Sequence, residues 1–313
     1  MLDVAVAIIF FVRPDKLEKV FNQVRKSKPS KLFLIQDGPR ENNYEDDMIN
    51  IKKCREIVEN IDWDCEVYKD YSEVNLGVGK RPASGISWVF EHTDKAIILE
   101  DDCVPDLSFF SFSKNMLDKY ENDERIMLIS GMNLLEQYDT NYSYIFSKAC
   151  TIGAWATWKR VWDQYDYEIK LFDDKKIKQK LKEEIGFKNI IDLKFWAWNL
   201  TREKINHNEK LQWWDYQLSF LIYLNSGLGI VPSKNLIKNI GFGEGASNVS
   251  NKEDGLHFNI NSFKLEENLK HPKEIKWDYN FDKKLYDVQK IKVNKLKIFL
   301  SKIKRKLLRL IRR

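Results

Sequence analysis

Apolar runs and amphipathic segments alternate along the first 130 residues of the chain. Short continuous apolar runs are typical of buried strands, whereas apolar residues three or four positions apart are typical of helices. The pattern predicts strands at residues 4–12, 31–36, 65–68, 96–99 and 126–130, and helices at 14–26, 45–60, after 81, and at 109–120. Because one strand–helix unit takes roughly 30 residues, crossovers connect successive strands. The fold class expected is therefore α/β, with a mostly parallel central sheet flanked by helices.

Polar residues follow three of these strands directly. Arg13 follows the first strand, Asp37 the second, and the triplet Glu100-Asp101-Asp102 the fourth. The carboxyl ends of parallel strands lie at one edge of a sheet, where α/β proteins bind their ligands. We therefore expect these five side chains to gather at one edge.

The acidic triplet has two interpretations. Carboxylates are rarely buried unless they are paired or bind a metal, which favours a site for a divalent cation and a nucleotide phosphate. The alternative is a solvated acidic turn. A basic loop predicted at 75–81 carries Lys80 and Arg81. These two residues would either bind phosphate or only balance the charge of the acids.

The pattern changes beyond residue 150. It predicts a charged helix at 174–184, a helix at 215–224 that begins with Asp215, a strand at 228–231 and a mobile glycine-rich loop at 241–247. Seven tryptophans lie between residues 155 and 214. Aromatic faces stack on sugars or on nucleic-acid bases, but packing in the core is the more common use of any single tryptophan.

Composition and cysteine usage restrict the class of protein. The chain has 313 residues, 43% of them hydrophobic and 13% aromatic, which is enough for a sizeable core. The apolar run at 4–12 has no basic leader, so we interpret it as a strand and not as a signal peptide. No run approaches the roughly 20 apolar residues of a membrane span. The four cysteines have no metal-ligand spacing, which favours reduced thiols in a cytosol.

The basic residues are concentrated at the end of the chain. Of 52 Lys and Arg, eleven lie in 288–313, which contains no acid, and this leaves 41 against 47 acids elsewhere. Leucine and isoleucine recur there every three or four residues from Leu296 to Leu310. A basic helix with one wide apolar face is typical of binding to an anionic membrane surface. A coiled-coil partner or RNA is the alternative, and the acidic remainder of the chain argues against nucleic acid.

Several phosphate-binding and metal-binding motifs are absent. The sequence has no G-x-x-x-x-G-K-[ST] P-loop, and no glycines follow the first strand as they do in dinucleotide-binding proteins. The same lack of a glycine-rich first turn argues against a sugar-phosphate nucleotidyltransferase. The four histidines are scattered, which disfavours zinc.

Taken together in their order, the motifs resemble the inverting glycosyltransferases of the GT-A fold. The similarity is greatest to N-acetylglucosaminyltransferase I and to the related bacterial nucleotide-diphospho-sugar transferases. The matching segments run collinearly over about 240 residues in the order of that family. They are Arg13 after the first strand, 35–37, 98–102 as the DXD-type motif, 129–131, 153–155, 214–217 and 240–243.

The resemblance implies roles in binding the donor. Arg13 and Asp37 would hold the uridine and phosphate end, Glu100 would touch the nucleotide, and Asp101 would face the ribose or the donor sugar. Asp102 would be the direct ligand of Mn²⁺ or Mg²⁺. Even so, Arg13 could simply cap a strand end, and Asp37 could serve ordinary turn chemistry.

The resemblance also implies a catalytic base and a lid. Asp215 would accept the proton of the acceptor hydroxyl, although an N-cap role for its helix is the alternative. The glycine-rich loop, with Phe242, Gly243 and Ser247, would close over the bound donor. Relatives often carry His after that Ser or Thr, whereas Asn248 stands here.

These expectations combine into one functional hypothesis. Residues 1–285 would form the glycosyltransferase domain, with a nucleotide-binding half at 1–103 and an acceptor half at 104–285, and 286–313 would form a membrane-association tail. The enzyme would move a sugar from a nucleotide-sugar, expected to be a UDP-sugar, to a glycan or lipid-linked acceptor with inversion. It would work on the cytoplasmic face of a bacterial inner membrane, in lipopolysaccharide or capsule synthesis. The alternative is a non-catalytic, membrane-associated protein that binds nucleotide-sugars or glycans.

Overall fold

Four parallel strands form the first half of the central sheet. The computed structural model describes residues 2–241 and 260–288. Its first strands are β1 (Ala5–Phe10), β2 (Lys31–Gln36), β3 (Glu66–Tyr71) and β4 (Lys95–Glu100). They lie in the order β3-β2-β1-β4. All six residues of β1 are buried, as expected for a continuous apolar run covered on both faces.

Helices follow these strands and cover both faces of the sheet. They are α1 (Pro14–Ser27), α2 (Tyr44–Val58), α3 (Gly77–His92) and α4 (Leu107–Lys119). Helix α1 contacts α2 and α4, whereas α3 packs on β1, β2 and β4. Since β1 is followed by β2 on one side and β4 lies on its other side, right-handed crossovers put α3 on the opposite face from α1 and α2.

The second half of the chain completes an eight-stranded, mostly parallel sheet and adds a short hairpin. The remaining strands are β5 (Cys103–Pro105), β6 (Ile126–Ser130), β7 (Tyr144–Ser147), β8 (Ala154–Trp158), β9 (Leu228–Pro232) and β10 (Ile237–Asn239). The full order is β3-β2-β1-β4-β8-β6-β9-β7, and β5 pairs with β10 separately. Strand β8 runs antiparallel between β4 and β6, so the parallel half ends at β4.

A helical layer with its own small core lies beside the sheet. Its helices are α5 (Lys159–Trp162), α6 (Lys175–Ile185), α7 (Lys188–Asn206), α8 (Asp215–Leu224) and α9 (Tyr279–Val288). Helix α8 places Leu218 and Leu221 in the main core, and Phe220 and Tyr223 in a second core shared with α6 and α7. That double contact explains why α8 is apolar around most of its circumference.

The α/β prediction is confirmed, with one clear error in the extent of an element. Helix α3 begins at Gly77, so Lys80 and Arg81 lie in its first turns and not in a loop as predicted. The sequence misled because glycine and proline usually interrupt helices, whereas Gly77 and Gly79 lie in the first turn of α3 and Pro82 lies inside the helix. None of the helices within 2–241 and 260–288 is long and apolar enough to cross a membrane.

Candidate active site at the carboxyl edge of the sheet

The candidate site lies where the direction of strand addition reverses. Strand β1 pairs with β2 on one side and with β4 on the other, and all three are parallel. At such a switch point the loops after the two adjacent strands diverge to opposite faces, which opens a crevice at the carboxyl ends. Arg13 follows β1, Glu100 is the last residue of β4, and Asp101 and Asp102 come directly after it. The expected meeting of these residues therefore has a simple topological cause.

Arg13 binds two of the three acids directly. Its Nε donates to Asp101 Oδ2 at 3.2 Å, its Nη2 donates to Asp101 Oδ1, and its Nη1 lies 2.9 Å from Asp102 Oδ2. Burial alone would lower the pKa of Arg13, but the two carboxylates raise it above its ordinary value. Arg13 therefore stays charged and fixes the orientation of both aspartates.

The chain segment that ends at Gly241 lies directly against Asp102. Strand β10 pairs with β5, and the Ile240 N–H donates to the Asp102 carbonyl at 2.8 Å. Gly241 lies so close that an added Cβ would be 2.4 Å from Asp102 Oδ2. Only glycine permits this approach, so the segment that leads into the predicted lid is anchored on the acidic triplet.

The triplet carries more negative charge than Arg13 can balance. Burial, followed by the charges of Asp102, Asp101 and Asp215, raises the pKa of Glu100 to about 8. Burial also raises the pKa of Asp101, and Arg13 opposes this shift. The repulsion among three carboxylates near one guanidinium would be reduced either by protonation or by a bound cation.

The donor atoms of this cluster fit a hard divalent cation. Potential ligand atoms of Glu100, Asp102 and Cys103 lie within 4.8 Å of one another. Burial raises the pKa of the Cys103 thiol well above its usual range, and the thiol donates to Asp102 Oδ1 at 3.3 Å. A protonated thiol is a poor ligand, whereas carboxylate oxygens suit Mg²⁺ and Mn²⁺. Asp102 could hold such an ion, with Glu100 beside it.

Asp215 occupies the first position of α8 and interacts electrostatically with Glu100 of the triplet. It is the first helical residue, one position after the N-cap residue Trp214, and its carboxylate interacts with the backbone N–H groups at the helix start. Trp214 is held by packing on Trp155 and by the Tyr165 hydroxyl, which donates to its carbonyl at 2.9 Å. The charge of Asp215 helps to raise the pKa of Glu100, so the two carboxyl groups are within electrostatic reach.

The environment of Asp215 favours a carboxyl group that can accept a proton. Burial raises its pKa above the ordinary value. The backbone N–H groups at the helix start and the ammonium of Lys194 oppose this shift. A carboxylate whose proton affinity is raised but which stays ionisable is suited to act as a general base.

Asp37 is committed to the backbone of the loop before α3. Its buried carboxylate accepts hydrogen bonds from the N–H groups of Gly38 at 2.9 Å, Leu76 at 2.8 Å and Gly77 at 2.8 Å. This arrangement ties the end of β2 to the start of α3. The ordinary turn interpretation of Asp37 is thus present in the structure, and contact with a nucleotide stays a prediction.

Lys80 and Arg81 have different surroundings. Arg81 is buried and donates to the carbonyls of Gln36 and Asp70 at 3.1 and 2.5 Å, and its third nitrogen lies 3.5 Å from the Ser84 hydroxyl. These contacts, with the ion pair from Arg81 to the Asp70 carboxylate at 2.8 Å, tie α3 to the ends of β2 and β3, and contact of Arg81 with phosphate stays a prediction. Lys80 is exposed and forms no hydrogen bond or ion pair with the described residues.

Some predicted functional residues cannot be placed. Phe242, Gly243 and Ser247 lie outside the described residues, as do residues 289–313 of the predicted membrane tail. Of the seven tryptophans, Trp155, Trp158, Trp162, Trp198 and Trp214 are buried in the two cores. Core packing therefore accounts for five of them, and Trp196 and Trp213 are half-buried.

Sequence reasoning missed Lys194 and Gly79. Lys194 lies on the apolar face of α7, a break in the hydrophobic pattern that could have been noticed. An added Cβ on Gly79 would lie 2.3 Å from the Leu211 carbonyl oxygen. This close approach packs α3 against the segment that leads to Asp215, and nothing in the sequence spacing indicates it.

No protein-family model and no curated protein matches the chain. Among solved structures it is similar to 4-diphosphocytidyl-2C-methyl-D-erythritol synthase from Anaerococcus prevotii DSM 20548, at 14% identity and TM-score 0.33, covering 56% of this chain and 86% of that one. UDP-glucose pyrophosphorylase complexed with UDP-glucose is 9% identical, with a TM-score of 0.31, and the match covers 51% of this chain and 78% of that one. HddC from Yersinia pseudotuberculosis is 10% identical, with a TM-score of 0.32, and the match covers 52% of this chain and 81% of that one. At these scores, nothing about the activity of this chain follows from the three structures.

Proposed function

We propose that the chain is a metal-dependent glycosyltransferase that moves a sugar from a UDP-sugar to a hydroxyl group of a glycan or lipid-linked acceptor, with inversion. The observation that carries the proposal is the acidic triplet at the sheet switch point, with Asp215 of α8 within electrostatic reach of Glu100. The triplet supplies a cation site, and Asp215 supplies a proton acceptor on a different element.

The triplet and Arg13 would bind the donor end. Asp102 would hold Mn²⁺ or Mg²⁺, which would neutralise the leaving diphosphate as a Lewis acid. Glu100 would lie against the nucleotide. Asp101 was expected to face the ribose or the donor sugar, but both of its oxygens bind Arg13. Its role within the proposal is therefore to orient Arg13 toward the donor phosphates.

Asp215 would act as the general base. Its carboxylate would take the proton of the acceptor hydroxyl as that oxygen forms a bond to the anomeric carbon. The bond from that carbon to the diphosphate oxygen breaks on the opposite face, and the leaving group keeps the bonding electrons. Attack on one face and departure from the other invert the anomeric centre, and no covalent enzyme intermediate is needed.

The remaining parts of the hypothesis extend this proposal. The loop with Phe242, Gly243 and Ser247 would close over the donor, since it begins directly against Asp102. The basic residues 288–313 would bind the anionic inner face of a bacterial membrane and bring the site to a membrane-borne acceptor. A role in lipopolysaccharide or capsule synthesis would follow.

A donor screen tests the proposal. The full chain would be incubated with a panel of UDP-sugars, with Mn²⁺ or with EDTA, and release of UDP would be measured. At least one donor should be turned over only with the metal, and Asp102→Ala should abolish that turnover. Asp215→Asn should abolish transfer while leaving affinity for UDP nearly unchanged. The matched control is Asp15→Asn, which changes an exposed aspartate in the first turn of α1.

Other outcomes would point to other functions. Release of pyrophosphate from a nucleoside triphosphate and a sugar 1-phosphate would identify a nucleotidyltransferase instead. Binding of UDP-sugars without metal-dependent turnover would support the non-catalytic alternative. Normal transfer by Asp215→Asn would show that the assigned base is wrong.

A further inference from the structure

Lys194 occupies an unusual place on α7. Ile190 and Trp198 on that helix are buried in the second core, and Lys194 lies four residues from each of them. Positions four apart share one face of a helix, so Lys194 extends from the apolar face. A lysine on such a face needs a polar partner, because desolvation of an ammonium group is costly.

The partner of Lys194 lies on α8, one turn beyond Asp215. The Lys194 ammonium donates to the Ser219 hydroxyl at 2.6 Å and lies 5.8 Å from the centre of the Tyr223 ring. Ser219 follows Asp215 by four residues, so both project from the same face of α8. No carboxylate of the described residues lies within 4.0 Å of the Lys194 nitrogen, so this ammonium has no direct ion-pair partner there.

The charged and titratable groups around Asp215 come from several elements. They are Glu100 of β4, Tyr165 after α5, Tyr216 of α8 and Lys194 of α7. Lys194 in turn faces Cys150 and Tyr223. Lys194 is the one cation in this set, and Glu100 opposes it with a negative charge whenever it is ionised.

We propose that Lys194 is a positioning residue for Asp215: tethered by Ser219, its ammonium holds the Asp215 carboxyl group in the ionised form. The assignment of Asp215 as a base rests on the proposed function, but the electrostatic coupling does not. Burial lowers the pKa of Lys194 to about 8, and the charge of Asp215 opposes that shift. Each group therefore supports the charged form of the other.

The coupling can be measured without any assay of activity. In the full chain labelled with ¹³C-aspartate, the carboxyl signal of Asp215 is identified by its loss in Asp215→Asn. Its titration midpoint should rise by about one pH unit in Lys194→Met and by less in Ser219→Ala. Lys194→Arg should keep the original midpoint. Lys188→Met, at an exposed position of the same helix, is the control and should have no effect. An unchanged midpoint in a folded Lys194→Met variant would overturn the proposal.

Kinetics connect the coupling to catalysis. If the donor screen finds transfer, the acid limb of the pH profile of kcat/KM should move up by about one unit in Lys194→Met, with a rate near normal at high pH. A purely structural loss would lower the rate at every pH without moving the limb. If the Asp215 titration midpoint moves in a protein that transfers no sugar, the coupling is supported and the proposed function is rejected. A moved midpoint with an unmoved limb in an active enzyme would reject Asp215 as the base.

Discussion

Among single residues, Arg13 connects two acids of the cluster, because it contacts both Asp101 and Asp102. The same guanidinium was expected to bind the donor phosphates. A side chain that already has two carboxylate partners can do so only by sharing its donors. The ion pair therefore organises the site in advance of any ligand.

Replacing Arg13 with methionine tests this organising role. The buried acids would lose their cation, and the free energy of unfolding at pH 7 should fall by about 3 kcal/mol, measured by urea denaturation. Arg125→Met removes an exposed arginine from a comparable pair with Asp123 and should change stability little. Equal effects of the two substitutions would mean that the Arg13 pair has no special importance.

The meeting of Arg13 with the triplet could be predicted from the sequence, because strand ends follow directly from apolar runs and turn residues. The hydrogen bonds of Arg81 to Gln36 and Asp70 could not be predicted. They depend on how closely α3 packs on β1, β2 and β4, which tertiary contacts determine. The partner of Lys194 could not be predicted for a related reason, since Ser219 lies on another helix, 25 residues away.

At the scale of secondary-structure elements, α9 is attached to the edge strand β7. Asp282 accepts hydrogen bonds from the Ser147 hydroxyl, from the Lys148 N–H at 3.0 Å and from the Trp277 indole at 2.6 Å. The Asp278 N–H adds a bond to the Phe146 carbonyl at 2.8 Å. One buried carboxylate thus joins the helix, the segment before it and the sheet.

Asp282→Ala should release this attachment. Three buried donors would lose their acceptor, which should lower the free energy of unfolding by about 3 kcal/mol. Hydrogen exchange should rise first in α9 and β7. The control is Asp287→Ala on the exposed side of α9. A uniform change in exchange, or none, would contradict a local role for Asp282.

At the scale of the whole molecule, the unbalanced acids should make stability depend on pH. The pKa of Glu100 is raised to about 8 in the folded chain, so between its ordinary value and 8 the folded state binds more protons than the unfolded state. The free energy of unfolding should therefore fall by a few kcal/mol as pH rises through this range. Urea denaturation at a series of pH values measures the slope.

Two changes should flatten that slope. Glu100→Gln removes the titrating group, and Mn²⁺ would replace the missing positive charge if the proposed site is correct. A slope that persists in Glu100→Gln would assign the effect to another buried acid. Asp282, whose pKa burial raises to about 6, is the next candidate.

Removal of residues 289–313 tests the proposed membrane surface binding and leaves α9 intact. Eleven basic residues would be lost, so the truncated chain should no longer sediment with anionic vesicles. Neutral phosphatidylcholine vesicles and an unchanged melting temperature are the controls. Continued binding to anionic vesicles would place the membrane contact elsewhere.

The attachment of α9 also determines where mechanical load would enter the protein. A pull applied beyond Val288 would act on Asp282 and Asp278, and through them on β7. Strand β7 is the last in the sheet, four strands from β4 and the acidic triplet. The Tyr286 hydroxyl of α9 also lies 3.1 Å from the Tyr223 hydroxyl of α8. A chain immobilised by its carboxyl terminus, on a sensor chip or in a force experiment, would therefore carry strain both to the far edge of the sheet and to the helix that begins at Asp215.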